Sequence, residues 1–191
     1  MIKQLGKYTL LNEIGSGGMG RVYLAVTASG KSVAVKTVHP YLVGAPGFFK
    51  RFIREGELGK KVSHANVVRT IDMDSITIDG VQVNYMVMEY VRGKSLRELL
   101  RELGTVPETL LREIALQLTA GLAAIHAAGI IHRDLKPENV LISRDHTVRI
   151  MDLGVAKMQE ASVALTLVGQ FAGSLVAWIV CAILLPKEAK A

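Results

Sequence analysis

What this sequence lacks narrows it quickly. It has one cysteine, Cys181, in 191 residues. That excludes an internal disulfide framework and a cysteine-rich zinc site, and it makes a reducing compartment the default. Five prolines beside 18 glycines exclude a collagen-like chain. The five histidines are scattered, so no His/Cys metal-ligand spacing emerges. There is no internal repeat and no low-complexity tract. The opening Met1-Ile2-Lys3-Gln4-Leu5 holds too short an apolar run for a signal peptide, so the globular part is expected in the cytoplasm. A large excess of one charge is also missing, because 23 Lys+Arg face 17 Asp+Glu for a formal +6. So modest and dispersed a balance argues only weakly for nucleic acid and better for small anionic ligands, and no nucleic-acid partner is expected.

The chain is 50% hydrophobic and 21% charged, enough to bury a core and too apolar for a disordered tail. A mean hydropathy of +0.31 is high for a soluble enzyme. The excess sits in one place. Residues 161–185 are 25 positions without Asp, Glu, Lys, Arg or His, and 175–185 are eleven consecutive apolar residues. Residues 1–160 carry 21 basic against 16 acidic side chains, so the charge belongs to the globular part.

Residues 8–14 and 21–26 read as strands bracketing a glycine cluster, and 31–38 as a third strand after Ser29-Gly30. Residues 67–78 and 81–91 flank Asp79-Gly80, a pair suited to a tight hairpin because both positions tolerate positive φ. Between the third and fourth strands, 48–62 reads as a helix entered after the breakers Gly44, Pro46 and Gly47. Ser95 and Glu98 have the spacing of a capping box, and Gly104 closes that helix. A longer helix opens at Pro107, carries apolar residues at 110, 111, 114, 115, 118, 122 and 125, and stops at Gly129. Residues 140–142 and 148–151 read as a short hairpin. Five strands with one helix, then helices with a small hairpin, predict an α+β fold in two lobes.

Gly15-Ser16-Gly17-Gly18-Met19-Gly20 spells G-x-G-x-x-G. A dinucleotide-binding turn with that spacing needs its strand to lead straight into a helix. Here Arg21-Val22-Tyr23-Leu24 continues as strand, so the loop sits in a β-hairpin. Such a hairpin can lay backbone N–H groups over phosphates with no side chains in the way. Lys36 follows the apolar run Val33-Ala34-Val35. Alone it would be an edge-strand lysine in solvent. Placed after the glycine loop, with a helix carrying Glu55, it is expected to form an internal ion pair that holds the ammonium toward phosphates. Glu57 is the rival partner, and it points to a different helix face, so both cannot serve.

The densest motif is Ile131-His132-Arg133-Asp134-Leu135-Lys136-Pro137-Glu138-Asn139. Its spacing, H-R-D-x-x-x-x-N, puts a carboxylate near a hydroxyl nucleophile and an amide oxygen near a metal. Met151-Asp152-Leu153-Gly154 adds a second metal-binding carboxylate across a hairpin. The histidines read as structural: His64 at a strand start, His126 packed at a helix end, His132 beneath the Asp134 loop. His39 and His146 are expected in exposed turns.

With these motifs, residues 8–157 resemble a eukaryotic-type Ser/Thr protein kinase, in style nearest to the bacterial members. The resemblance implies a protein-kinase-like fold, with an N-lobe over 8–91, part of a C-lobe over 92–160, and ATP with Mg²⁺ as cofactors. It implies Gly15, Gly17 and Gly20 over the phosphates, Lys36 on them, and Glu55 paired with Lys36. Asp134 becomes the catalytic base, and Asn139 and Asp152 the Mg²⁺ ligands. Lys136, in the D-L-K-P-E-N form typical of Ser/Thr specificity, contacts the transferred phosphoryl group. The stretch from Tyr85 to Val91 resembles the hinge, with Met88 as gatekeeper and Glu89 and Val91 offering backbone groups to adenine. Ile14, Val22, Ala34 and Leu141 sandwich the purine. Arg133 resembles the arginine that pairs with a phosphorylated activation loop. The implied function is ATP- and Mg²⁺-dependent phosphorylation of protein serine or threonine.

The resemblance fades after Lys157 and is gone by Leu175. Residues 166–174 still resemble the later part of an activation loop, but no A-P-E motif and no further C-lobe helices follow. The chain is therefore expected to be truncated after the start of the activation segment. The alternative function is a nucleotide-binding interaction module without phosphotransfer. A helix is expected within the tail, over 163–185. A 25-residue helix would span about 37 Å against a hydrocarbon core of roughly 30 Å. The tail thus reads as a transmembrane anchor, a buried core helix or an activation-loop remnant. Gly169 and Gly173 have the spacing of a helix-dimer face, hence of a homodimer, and the remnant explains the same two glycines.

Overall fold

Strand periodicity and turn chemistry build the first unit. The computed structural model describes residues 4–43, 47–153 and 157–158. They divide into two units, one formed by the described residues up to 61 together with 69–90, the other by 62–68 and the described residues after 90. The first unit holds β1 (Gln4–Leu5), β2 (Tyr8–Gly17), β3 (Gly20–Val26), β4 (Ser32–Val38), α1 (Pro40–Val43), α2 (Phe48–Lys61), β5 (Thr70–Ile78) and β6 (Val81–Glu89). Its strands form one antiparallel sheet in the order β1-β2-β3-β4-β6-β5. Asp79 and Gly80 take φ 51° and 78°, the doubly left-handed pair that a two-residue hairpin turn requires.

Both faces of the sheet are covered. On one, Leu5, Tyr8, Ala25, Val33, Val35, Tyr85 and Val87 pack together. On the other, Val38 and Met86 meet Phe48 and Phe52 of α2. Helix α2 comes unusually close to β5. A Cβ on Gly56 would fall 1.8 Å from Met73 Sδ, and one on Gly59 would fall 2.1 Å from Thr70 Oγ1. Two mid-helix glycines disfavour the helix by about 1 kcal/mol each, and here they let its backbone lie against the sheet.

Six strands stand where the sequence predicts five. The addition is β1, which pairs with Thr9 and Tyr8. Two residues carry no alternation to read, yet Leu5 is wholly buried. Strand β5 is shorter than the expected 67–78, because Val67 and Val68 belong to the second unit. There Val67 bridges Ile150, and the Val68 N–H donates to the Ile150 carbonyl at 2.8 Å.

The second unit holds β7 (Gly93–Ser95), α3 (Leu96–Leu103), α4 (Glu108–Ala127), β8 (Ile130–Ile131), a 3₁₀ turn (Pro137–Asn139), β9 (Val140–Ser143), β10 (Val148–Ile150) and β11 (Lys157–Met158). The capping box forms as its spacing predicts. Glu98 N–H donates to Ser95 Oγ at 3.2 Å, and Ser95 N–H donates to Glu98 Oε2 at 2.7 Å. The hairpin expected from 140–151 is one part of a three-stranded sheet, β10-β9-β7. Gly93 permits the third strand, since a Cβ there would lie 2.0 Å from the Ile142 carbonyl oxygen. Gln117 of α4 locks helix to sheet. Its Oε1 accepts from Val148 N–H at 2.9 Å and from Asn66 Nδ2 at 3.1 Å, and its Nε2 donates to the His146 carbonyl at 3.0 Å.

Among the described residues no helix is long and apolar enough to cross a membrane. The tail over 161–191, with its helix, anchor and dimer-face readings and its stretch 166–174, lies outside the described residues.

Candidate active site

In the first unit, the glycine motif forms the tip of the β2–β3 hairpin, with Gly17 paired to Gly20 and Gly18-Met19 at the turn. The strand-to-helix arrangement of a dinucleotide turn is absent there. The glycines differ in what they require. A Cβ on Gly17 or Gly18 would meet nothing within 4 Å, and one on Gly15 only Val22 at 3.7 Å. On Gly20 it would fall 1.7 Å from the Thr37 carbonyl oxygen and 2.8 Å from its carbon, both backbone atoms of β4. Gly20→Ala is therefore expected to lower stability by about 1–3 kcal/mol through backbone displacement. Gly17→Ala should stay within about 0.5 kcal/mol. Urea unfolding of both variants checks the contrast.

Lys36 sits on β4 opposite Val22 and Met86. Its Nζ lies 2.6 Å from Glu55 Oε1 on α2, with the two side chains 16% and 8% exposed. The Gly56 and Gly59 contacts set the depth of α2, and so bring Glu55 to the strand. Glu57 is exposed and does not share the role. Of the remaining expected nucleotide residues in this unit, Ala34 is buried, while Val22, Met88 and Glu89 are half-buried. Ile14 is 43% exposed.

In the second unit, the His132–Asn139 loop gathers three predicted side chains. Lys136 Nζ donates to Asp134 Oδ2 at 2.8 Å, and Asn139 Nδ2 donates to the same oxygen at 3.1 Å and to the Asp134 carbonyl at 2.8 Å. The hydrogen bond from Lys136 holds the Asp134 carboxyl below its usual range, against the opposing effect of burial. His132 lies beneath, 2% exposed. Its Nε2–H donates to the Met151 carbonyl at 3.1 Å, and Nδ1 accepts from Asp134 N–H at 3.4 Å. That bonding needs a neutral ring, and burial pushes the imidazole pKa below its usual value. Met151 N–H in turn donates to the Asn139 carbonyl at 2.9 Å, tying the loop to the segment that carries Asp152. Arg133 and Asp152 take φ 65° and 68°, left-handed values that non-glycine residues adopt at a cost of roughly 1–3 kcal/mol. Leu141, on β9, and Val91 are half-buried.

A model of the protein kinase domain matches residues 8–175. The chain belongs to that family. Curated relatives of this kinase domain agree. It is 40% identical over 152 residues to the probable serine/threonine-protein kinase PknB of Corynebacterium glutamicum, covering 79% of the chain and 24% of that protein. It is 41% identical over 157 residues to the probable serine/threonine-protein kinase SCO3848 of Streptomyces coelicolor, with coverage of 80% and 23%. It is 42% identical over 163 residues to the serine/threonine-protein kinase pkn2 of Myxococcus xanthus, with coverage of 83% and 19%. The kinase domain thus spans about a quarter or less of these relatives' lengths. Family membership brings the two-lobed kinase fold, whose sheet-rich lobe corresponds to the first unit.

Asn139 and Asp152 suit the Mg²⁺ of this family. Both offer hard oxygen donors, and both Asn139 Nδ2 contacts run to Asp134 oxygens, so the amide oxygen is the atom of that side chain suited to a cation. Among the described residues no group of three or more His, Cys, Asp or Glu could hold a metal alone.

Sequence reasoning missed two supports of the site. Gln117 and Asn66 hold α4 to β10, yet a lone glutamine on an apolar-striped helix gives no signal. His39, expected in an exposed turn, is half-buried and bonded to the glycine hairpin.

Proposed function

We propose that this chain transfers the γ-phosphoryl group of ATP to a serine or threonine hydroxyl of a protein. The observation that carries the reading is the cluster of Asp134, Lys136 and Asn139, an ionised carboxylate held by two donors. Because Oδ2 accepts both of them, Oδ1 is assigned to the substrate hydroxyl. As that hydroxyl oxygen bonds to the γ-phosphorus, its proton passes to Asp134, and the bond from phosphorus to the ADP oxygen breaks. Lys136 offsets charge on the transferred group. Residues 8–91 supply the nucleotide grip. Glu55 holds Lys36 against the α- and β-phosphates, and Gly15, Gly17 and Gly20 leave the hairpin backbone bare over them. Ile14, Val22 and Ala34 are the purine contacts proposed in the first unit, with Met88 as gatekeeper and Glu89 presenting a backbone group, while Leu141 and Val91 are the adenine contacts proposed in the second. Residues 92–160 supply the base and the ligands Asn139 and Asp152, whose Mg²⁺, when bound, neutralises phosphate charge. ATP as phosphoryl donor places this chemistry in the cytoplasm.

The test is transfer of the labelled γ-phosphoryl group from ATP to a generic basic protein in the presence of Mg²⁺. Acid hydrolysis of the product should yield phosphoserine or phosphothreonine. No transfer, or transfer that persists without divalent metal, overturns the reading.

A further inference from the structure

Beyond the expected phosphate contacts, the glycine hairpin has a second hold on it. We propose that His39 is a positioning residue for nucleotide binding, fixing from the far side of the sheet the peptide that presents Gly18 N–H to phosphate. The proposal rests on the nucleotide reading above and adds to it a residue that the motifs do not include.

His39 follows β4 directly, and its backbone extends the β3–β4 ladder past Gly20 and Val38, with its N–H donating to the Met19 carbonyl at 3.2 Å. Its side chain does something no backbone can. Nε2 lies 3.2 Å from the Gly17 carbonyl oxygen, which only accepts, so the ring donates from Nε2. One residue thereby grips both sides of the hairpin tip. Tyr41 stacks on the imidazole at 5.4 Å between ring centroids and 12° between planes, limiting its rotation.

The direction of the grip gives it a function. Side chains alternate along a strand, so Lys36 and Val38 share one face while Thr37 and His39 share the other. Val38 packs with Phe48 and Phe52 of α2, and Lys36 pairs with Glu55 of the same helix. His39 instead lines a groove of about 340 Å³ with Leu5, Tyr23 and Thr37 on the opposite face. In a trans peptide the C=O and the following N–H point in opposite directions. Drawing the Gly17 carbonyl toward His39 therefore turns Gly18 N–H toward the face that carries Lys36. Gly17 and Gly18 have open space where a Cβ would stand, so sterics alone do not fix this peptide. Its ladder pairing with Gly20 holds Gly17, and the imidazole bond adds a second hold on the same carbonyl from one face of the sheet.

The experiment measures Mg²⁺-ATP and adenosine binding by calorimetry for the parent chain, His39→Ala and His39→Gln. The glutamine amide reaches far enough to donate to the Gly17 carbonyl. His39→Ala is expected to weaken ATP about three- to tenfold, the size of one exposed hydrogen bond. Adenosine, which has no phosphates, should stay within about twofold, and His39→Gln should restore ATP to within the same margin of the parent. Unchanged ATP binding in His39→Ala, or equal losses of ATP and adenosine, overturns the role of His39 alone. A parent chain that binds neither ligand overturns the nucleotide reading and this role with it.

Discussion

Asp134→Asn is expected to slow phosphoryl transfer about 100- to 10,000-fold while leaving the melting temperature within a few degrees of the parent's. The magnitude is that of losing a positioned general base. The exchange keeps the side chain's shape and removes its charge, so Lys136 loses its anion at 2.8 Å. The fold keeps its local tie, because Asn139 Nδ2 still donates to the carbonyl of residue 134 at 2.8 Å. Parallel rate measurements and thermal melts separate the two effects, and equal rates in parent and variant would overturn the base assignment. The pH dependence follows from the same contacts. The Asp134 carboxyl is held below its usual range, chiefly by the Lys136 hydrogen bond. Its stabilisation is thus complete above the ordinary carboxylate range near 4 and lost as pH falls through the lowered value. Between pH 7 and pH 5 the base stays ionised, and its titration should leave the rate flat across that window.

Glu55→Ala is expected to lower stability by about 3–5 kcal/mol, the usual result of removing one partner from a buried ion pair. At about 2–4 °C per kcal/mol for a chain of this size, the melting temperature should fall by about 6–20 °C. The Lys36–Glu55 pair supports such an effect because its side chains are only 16% and 8% exposed. Desolvation has already been incurred on folding, and alanine leaves the ammonium without that carboxylate. The double variant Lys36→Met/Glu55→Leu should recover part of the loss, since an apolar pair removes both charges at once. It should not recover ATP binding. A Glu55→Ala melt within 2 °C of the parent would show that the pair does not hold α2 to the sheet.

Much of this site can be read from sequence because the motifs are local. Asp134, Lys136 and Asn139 lie within six residues, and one 3₁₀ turn suffices to converge them. The Ser95 capping box and the Asp79-Gly80 turn are equally short-range. Lys36 and Glu55 are 19 positions apart, and their pairing follows only once strand and helix are placed in order. What escapes is structure whose reason lies elsewhere in the chain. β1 and β7 have two and three residues, too few for a period, and each exists because a neighbouring strand offers an edge. Gly56 and Gly59 look like flaws in a helix until Met73 and Thr70 are seen against them. The left-handed backbone at Arg133 has no residue signal, and at Asp152 only the weak one that aspartate tolerates positive φ better than most side chains.

The amide at position 139 has a consequence for which sequences this loop can tolerate. Aspartate differs from asparagine by one terminal atom, and elsewhere the two exchange readily. Here the inward atom donates to two oxygens of Asp134. A carboxylate would aim a third acceptor at them and add a like charge beside the base. Serine and threonine donate but are too short to reach inward and outward together. An amide of this length supplies the donor to both Asp134 oxygens and keeps an oxygen for the proposed Mg²⁺, so aspartate at this position is expected to weaken the loop.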